Sequence, residues 1–268
     1  MLSKLRISLS IFGCIIVIQS AFAQVNPTSG TDRLKSIEQR KLLESKSVLK
    51  DIKFRNIGPS VMSGRVVDLD VNPDDPTEFY VAYATGGLWH TTNNGQSFTP
   101  IMDSLDLLFI GDIAVNWTST KRTIWVGTGE ENSSRSTYAG LGIYKTTDNG
   151  KHWEYLGLPE SHHIGKIQLH PTNPDIVWVA VLGHLYSANK ERGIYKSTDG
   201  GHHWKQTLFI DDNTSAVDLD INPTNPNELY AAMWYRTRRA WNFVESGATS
   251  GIYKSTDGGE LQDPDRVL

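Results

Sequence analysis

The chain has 268 residues, of which 38% are hydrophobic and 10% aromatic, and its formal net charge is −4 at pH 7. This length and composition can bury a substantial core, which excludes a disordered or low-complexity polymer. The negative charge balance lacks the basic footprint of nucleic-acid-binding proteins, so no nucleic acid is predicted as a partner.

Residues 1–23 have the pattern of a secretory signal peptide. Lys4 and Arg6 precede an apolar run over residues 11–18, and Ala21-Phe22-Ala23 follows it. Cleavage is expected after residue 23, and the apolar run is too short for a membrane-spanning helix. The mature protein is therefore predicted to be exported, as a secreted, periplasmic or cell-surface protein without a membrane span.

The mature chain begins with a polar segment, residues 24–51. Apolar residues at Leu34, Ile37 and Leu42 follow a weak helical period, which predicts a surface helix or tether. The chain's one cysteine, Cys14, is lost with the signal peptide, so the mature protein has neither a disulfide nor a thiolate metal site.

Four similar stretches organise the remaining chain, and they begin at Gly87, Gly142, Gly193 and Gly251. Each reads as a strand, a tight turn and the start of another strand, because an Asp or Asn precedes the glycine of a hairpin turn. The predicted structural positions are Asn93, Gly95 and Phe98; Asp148, Gly150 and Trp153; Asp199, Gly201 and Trp204; and Asp257 and Gly259.

The motif is predicted to be a folding device. Its Asp or Asn side chain can accept backbone N–H groups across the turn, its glycine supplies a positive φ, and its aromatic ring is expected to fold back over the hairpin. A carboxylate used in this way has no spare role as an acid or base. His152 and His203 occupy one position of the motif and are predicted to be exposed turn residues.

Each repeat also contains two earlier strands, which makes four strands per unit with a period of roughly 50 to 60 residues. This period predicts an all-β protein made of β-propeller blades over residues 52–268. The predicted blades are residues 60–102, 109–158, 164–210 and 215–268. The fourth is predicted to stop one strand short, giving an incomplete propeller of three full blades and part of a fourth that needs further blades from a longer parent chain.

The Ser/Thr-x-Asp-x-Gly-x-x-Trp hairpin resembles the Asp-box, or BNR, repeat shared by sialidases, xyloglucanases and sortilin-type receptors. Residues 52–259 are also similar to exported bacterial proteins with a sortilin-like propeller, in the runs Gly127 to Glu130, Gly183 to Tyr186 and Ala231 to Trp234. Such proteins are often labelled glycosyl hydrolases. The Asp-box marks blades whatever their activity, so the resemblance implies the fold and leaves the function open.

Similarity to xyloglucanases implies a catalytic Asp shortly before a Gly-Gly in the first blade. Here Ala84 stands at that position, before Gly86-Gly87, and the family's second catalytic Asp would lie outside this chain. Similarity to sialidases implies an amino-terminal Arg-Ile-Pro run whose arginine binds the substrate carboxylate. The nearest counterpart here is Gly64-Arg65-Val66, which lacks the proline. Because glycoside hydrolysis needs two carboxyl groups, this chain is not predicted to be catalytic alone. The alternative is the amino-terminal part of a glycoside hydrolase whose carboxylates lie elsewhere.

Ligand binding is expected in three loops between the second and third strands of consecutive repeats, since a propeller brings such loops to one face. Aromatic rings beside arginines can stack on sugars or bind peptide carboxylates, and Glu130 is expected to pair with an arginine of the third loop. Alternatively, the loops only pack against each other or a neighbouring domain. The candidate residues are Glu130, Asn132, Arg135 and Tyr138; His184 and Tyr186; and Trp234, Arg236, Arg239 and Trp241.

His162-His163 could bind a metal, but the sequence has no third ligand at a suggestive spacing, so a solvated pair without a metal is predicted. No cofactor is predicted. The sequence thus predicts an exported propeller scaffold for a protein, peptide or glycan ligand.

Overall fold

The structure, a computed structural model, describes residues 26–52, 64–118, 122–132, 137–260 and 265–266. The predicted signal peptide lies outside the described residues. The described part contains one α-helix, and the rest of its regular structure is β-strand.

Helix α1 spans Gly30–Lys46 in the polar segment where the sequence predicts a surface helix. The Ser29 hydroxyl caps it by accepting the Asp32 N–H at 3.1 Å. Its first turn contacts the segment that joins the second and third sheets, because Arg33 donates to the Pro159 carbonyl at 2.9 Å and a Cβ at Gly30 would lie 2.6 Å from Pro159. Among the described residues, no helix is both long enough and apolar enough to span a membrane.

Four antiparallel sheets of four strands follow one another in chain order, and each is a meander. The first contains β1 (Val66–Val71), β2 (Phe79–Tyr83), β3 (Gly87–Thr91) and β4 (Thr99–Pro100). The second contains β5 (Ile110–Asn116), β6 (Thr123–Thr128), β7 (Ile143–Thr146) and β8 (Glu154–Tyr155). The third contains β9 (Ile164–Leu169), β10 (Val177–Val181), β11 (Gly193–Ser197) and β12 (Lys205–Leu208). The fourth contains β13 (Thr214–Ile221), β14 (Leu229–Tyr235), β17 (Gly251–Ser255) and β18 (Asp265–Arg266). A separate hairpin pairs β15 (Thr237–Arg238) with β16 (Phe243–Val244).

The innermost strands of consecutive sheets pack side by side, β1 against β5, β5 against β9 and β9 against β13. Three apolar clusters fill the space between consecutive sheets, each with residues from both. This is the layering of propeller blades, so the predicted all-β propeller architecture is confirmed.

The fourth sheet differs from the sequence prediction. Asp265–Arg266 pairs with β17, so this sheet also has a fourth strand, although the chain there lacks the motif's tryptophan. A strand needs only backbone N–H and C=O groups to pair, and β4 and β8 are likewise only two residues long.

The hairpin turns follow the predicted chemistry. In the third copy, Asp199 accepts the His203 N–H at 2.9 Å, and Gly200 and Gly201 have φ values of +72° and +95°. The side chain of Ser197 accepts the Gly201 N–H at 2.9 Å. His203 has a 90% exposed side chain and its Nδ1 lies 2.6 Å from Asp199, as the predicted turn position requires. The motif is therefore a self-contained network of local hydrogen bonds.

The motif tryptophans, in contrast, do more than cover their own hairpins. Trp153 donates to the Ile101 carbonyl at 3.3 Å and Trp204 to the Leu156 carbonyl at 2.7 Å. Both carbonyls directly follow the last strand of the preceding sheet. The prediction that these rings fold back over their hairpins did not include this second contact, in which an indole N–H reaches a carbonyl of the neighbouring blade.

Candidate functional site

The three predicted loops follow β6, β10 and β14 and form one contiguous surface, named here the loop face. It comprises residues 128–132 and 137–142, residues 182–192, and residues 234–249. Arg239 of the third loop donates to the Tyr186 carbonyl of the second at 2.9 Å. Gly140 of the first loop donates to the His162 carbonyl at 2.6 Å, and the His162 ring lies beside that of His184 of the second. The fold thus brings together loops that are about 50 residues apart in sequence.

In the first loop, Glu130 is 1% exposed and its Oε1 accepts hydrogen bonds from Arg65 and Asn132. The predicted partner was an arginine of the third loop, but Arg65 stands at the start of β1, which places its guanidinium beside this carboxylate. Tyr138 is exposed and stacks on Phe109 with ring centroids 4.8 Å apart. Arg135 lies outside the described residues.

The second loop is organised by Arg192, a fully buried arginine. Its guanidinium donates to the His184 carbonyl at 2.6 Å, to Asn189 Oδ1 at 3.2 Å and to Ser215 Oγ at 2.7 Å. Burial lowers the pKa of Arg192 to about 10, so the side chain stays charged at neutral pH. These bonds hold the loop backbone in place while leaving Tyr186 45% exposed.

The third loop carries a second buried arginine, Arg236. Within the described residues, its Nε and Nη1 atoms have no hydrogen-bond partner, and its Nη2 lies 3.5 Å from the Leu182 carbonyl. Burial, and then repulsion from Arg192, lower the pKa of Arg236 to about 9. The guanidinium lies 5.2 Å from the ring centroid of Trp234, whose Nε1 donates to the Glu245 carbonyl at 2.8 Å. The loop face therefore has a buried positive charge at its base.

Beyond Arg236 the chain forms the β15–β16 hairpin, which projects into solvent. Trp241 at its tip is 86% exposed and Phe243 is 53% exposed. Arg238 lies 4.6 Å from the Phe243 ring centroid. The hairpin thus presents aromatic rings and arginines together, the combination that the sequence predicts for this loop.

Behind the first loop, carboxylates lie along the innermost strands. Asp112 of β5 accepts the Ile167 N–H at 2.7 Å and pairs with Lys166 of β9 at 2.9 Å, which ties two sheets together.

The first loop itself carries a carboxyl group with a raised pKa, Glu131. Burial, and then repulsion from Asp218, raise the pKa of Glu131 to about 7. Glu131 therefore lies near the midpoint of its titration at neutral pH.

Three side chains near the loop face have the donor atoms of a metal site. The ligand atoms of Glu160, His162 and His184 all lie within 4.8 Å of one another. The predicted solvated pair is wrong, because His163 is only 2% exposed and the His162 side chain 12% exposed. Sequence spacing could not supply the third ligand, since His184 comes from the loop after β10.

Several residues of this region were missed as site residues. Arg65 and Glu160 contact candidate residues from outside the three loops, and Arg192 lies in the second loop but was not among the predicted site residues. The signal for Arg65 was present in Gly64-Arg65-Val66, the nearest counterpart of the sialidase arginine run. Glu160 is two residues from His162, but its closeness to His184 and to Gly30 depends on how separate segments pack, so the local sequence does not indicate it.

Comparison with known proteins agrees with this architecture. The model of the Sortilin-Vps10 family (sortilin, neurotensin receptor 3) matches residues 86–213. A protein of Neosartorya fischeri described as a probable oligoxyloglucan-reducing end-specific xyloglucanase is 28% identical over 127 residues, which are 46% of this chain and 14% of that protein. The vacuolar protein sorting/targeting protein 10 of Kluyveromyces lactis is 29% identical over 80 residues, 30% of this chain and 5% of that protein.

Among solved structures, the GH74 enzyme of Niastella koreensis superimposes with a TM-score of 0.54 at 19% identity, covering 74% of this chain and 29% of that chain. The sheets, the Asp-box turns and this likeness define the protein as a β-propeller of the Asp-box class. More particularly, the chain resembles sortilin-like (BNR) propellers and has xyloglucanase relatives. It matches no more than 14% of the length of the curated relatives above.

Proposed function

We propose that this protein is an exported propeller scaffold that binds a protein, peptide or glycan ligand through the loop face and has no catalytic activity of its own. The observation that carries the proposal is the 86% exposure of Trp241 beside Arg239, whose guanidinium reaches Tyr186 on the neighbouring loop. Exposed aromatic rings flanked by arginines are the residues that most often dominate binding energy at interfaces.

The hairpin and the second loop together suit a ligand that has both a flat apolar surface and an anionic group. Trp241, Phe243 and Tyr186 offer rings for stacking on sugars or apolar side chains. Arg238 and Arg239 are placed to bind carboxylates, and the buried charge of Arg236 adds a positive potential beneath them. An acidic glycan or a peptide with a free carboxylate fits this chemistry.

A further part of the proposal is that the propeller is extended by additional blades. Leu69, Ile113, Ile167 and Leu219 are equivalent, because each pairs with the corresponding residue of the second strand of its sheet. The last three are 2%, 2% and 3% exposed because the preceding sheet covers them, whereas Leu69 is 51% exposed. A blade placed before the first sheet would cover Leu69, and we propose that a longer parent chain supplies it.

Glycoside hydrolysis is the second candidate function. It is favoured by the pKa of about 7 of Glu131, because a carboxyl group with a raised pKa can act as a general acid at neutral pH. The xyloglucanase relative gives this candidate its substrate class. In this case the second carboxyl group would come from another part of a longer parent chain.

Binding is tested on glycan and peptide arrays, followed by calorimetric titration of the strongest hits. The variant Trp241→Ala/Arg239→Ala is expected to weaken binding at least about tenfold, or about 1.4 kcal/mol. Tyr230→Ala is the matched control, since Tyr230 is an exposed aromatic residue at the opposite end of β14. Equal affinity of both variants would contradict the proposal.

Catalysis is tested separately by measuring new reducing ends released from xyloglucan. Turnover by the natural exported protein that disappears in Glu131→Gln would favour the hydrolase. Saturable binding without turnover favours the scaffold. The intact mass of the exported protein decides whether further blades are present.

A further inference from the structure

We propose that Glu160, His162 and His184 form a binding site for a divalent transition metal ion, with Zn²⁺ as the representative ion. The site lies where the start of helix α1, the loop before β9 and the loop after β10 meet. It is independent of the proposed ligand-binding role of Trp241 and its neighbours.

The first support is the aim of the three donor atoms. Glu160 Oε2 lies 4.0 Å from His162 Nε2 and 3.7 Å from His184 Nε2. The two imidazole rings have centroids 3.8 Å apart. Donors around a tetrahedral zinc are about 3.3 Å apart, given bonds of about 2.0 to 2.1 Å, so the two Glu–His separations are each within about 0.7 Å of that value.

The second support is that both imidazole Nε2 atoms are buried and, among the described residues, have no hydrogen-bond partner. Buried polar atoms normally have partners, and an unpaired one costs free energy. A metal ion between the two Nε2 atoms would satisfy both at once. Both Nε2 atoms also lie near Glu160 Oε2, the oxygen of that carboxylate that does not accept the Gly30 N–H.

The third support is the set of groups that orient these ligands. Glu160 Oε1 accepts the Gly30 N–H at 2.5 Å, which leaves Oε2 toward the imidazoles. His184 Nδ1 lies 2.9 Å from Ser187 Oγ, and the tautomer that donates this bond has its lone pair on Nε2. Metal-binding histidines and carboxylates are usually held by such outer hydrogen bonds.

The backbone of the site is also fixed before any metal binds. His162 has a φ of +52°, an unusual value for a residue other than glycine, and its carbonyl accepts the Gly140 N–H at 2.6 Å. The His184 N–H donates to Asn189 Oδ1 at 3.0 Å, and the His184 carbonyl accepts Arg192 Nη2 at 2.6 Å. In the part of the chain that the structure describes, the atoms left to bind a metal are Glu160 Oε2 and the two Nε2 atoms.

Two imidazoles and one carboxylate are a donor set that proteins use for zinc when one coordination position stays open. Nitrogen donors also disfavour Mg²⁺ and Ca²⁺, which prefer oxygen ligands. A bound ion would clamp the start of helix α1 to the second and third sheets through Gly30 and Glu160. Zn²⁺ binding is therefore expected to raise the melting temperature.

The test uses the untagged chain, stripped with chelator and titrated with Zn²⁺ against a chromophoric competitor. One equivalent is expected to bind, and His162→Asn and His184→Gln are each expected to lower the affinity at least about tenfold. Asn tolerates the positive φ at position 162, so this variant should still fold. Glu160→Gln keeps an acceptor for Gly30 and removes the charge.

The control variant is His152→Gln/His203→Gln, which removes the exposed histidines that lie beside aspartates. Its affinity should equal that of the parent chain. Loss of binding in this control, or unchanged binding in His162→Asn and His184→Gln, would overturn the proposal. If those variants fail to fold, the parent chain is titrated with Co²⁺. Intense visible bands of a four-coordinate site are expected, and a weak octahedral spectrum would count against the site.

Discussion

Trp204 Nε1 donates a hydrogen bond of 2.7 Å to the carbonyl of Leu156, which follows the last strand of the preceding sheet. Trp153 makes the equivalent bond to Ile101 at 3.3 Å. The Asp-box aromatic therefore joins neighbouring blades, and each tryptophan contributes both a large apolar surface and one polar contact.

Replacing Trp204 by Phe should remove this inter-blade bond while keeping much of the apolar contact. We expect the free energy of unfolding to fall by about 1 to 2 kcal/mol, because the Leu156 carbonyl loses its donor. Trp153→Phe should have a smaller effect, since its bond is longer. Urea unfolding measures both, and a larger loss for Trp153→Phe would contradict the inter-blade role.

Two glycines at the same motif position should respond differently to alanine. Both have positive φ, +82° at Gly150 and +77° at Gly95. A Cβ at Gly150 would lie 2.1 Å from the Ile101 carbonyl oxygen, whereas at Gly95 its nearest neighbour is Phe98 at 3.5 Å. Gly150→Ala should therefore lower the free energy of unfolding by about 2 kcal/mol more than Gly95→Ala, as measured by urea unfolding. Equal losses would mean that φ strain alone decides the effect.

Alanine substitution at the equivalent positions Leu69 and Ile113 should lower the free energy of unfolding by different amounts. Ile113→Ala leaves a cavity between two sheets and should cost about 2 to 5 kcal/mol in this chain. Leu69→Ala should cost less than about 1 kcal/mol, because half of this side chain is exposed. Thermal unfolding of the two variants checks the difference. In a longer natural protein with a preceding blade, the cost of Leu69→Ala should rise toward that of Ile113→Ala.

Breaking the contact between Arg65 and Glu130 should destabilise the loop face. Arg65→Met removes the cation beside a buried carboxylate that keeps its Asn132 donor, and because the Arg65 side chain is 56% exposed we expect a loss of about 1 to 2 kcal/mol. Glu130→Gln retains an acceptor for Arg65 and Asn132 and should cost less. Chemical unfolding of both variants gives the comparison, and equal stability of Arg65→Met and the parent chain would show that the pair contributes nothing.

The pH dependence of stability should contain a contribution from Glu131. Its pKa is about 7 in the folded chain against 4.5 when unperturbed, so the folded state binds more protons between these values. Its contribution is fully present below pH 4.5 and is lost as the pH rises through 7. After allowance for solvent screening, the change is on the order of 1 kcal/mol. Comparing unfolding of the parent chain and Glu131→Gln at about pH 5 and about pH 8 isolates it, and identical slopes would contradict the raised pKa.

The local repeats were sufficient to predict the blades. A hairpin turn depends on residues that are adjacent in sequence, so Asp199, Gly201 and their equivalents could be assigned their roles without any tertiary information. The alternation of apolar residues in the strands likewise follows from the two-residue period of a β-strand. The short β18 escaped prediction because backbone pairing leaves no side-chain signature.

Contacts between sheets were decided by the tertiary structure alone. The sequence shows that Trp204 is aromatic, but the position of the Leu156 carbonyl depends on the angle between two sheets. In the same way, His184 joins His162 and Glu160 only because the loop after β10 passes the loop before β9, and Glu130 pairs with Arg65 across 65 residues. The spacing of residues along the chain carries no information about such neighbours. The candidate ligand and metal sites therefore depend on the packing of the blades, whereas the blades themselves are determined by turn residues and strand patterns in the local sequence.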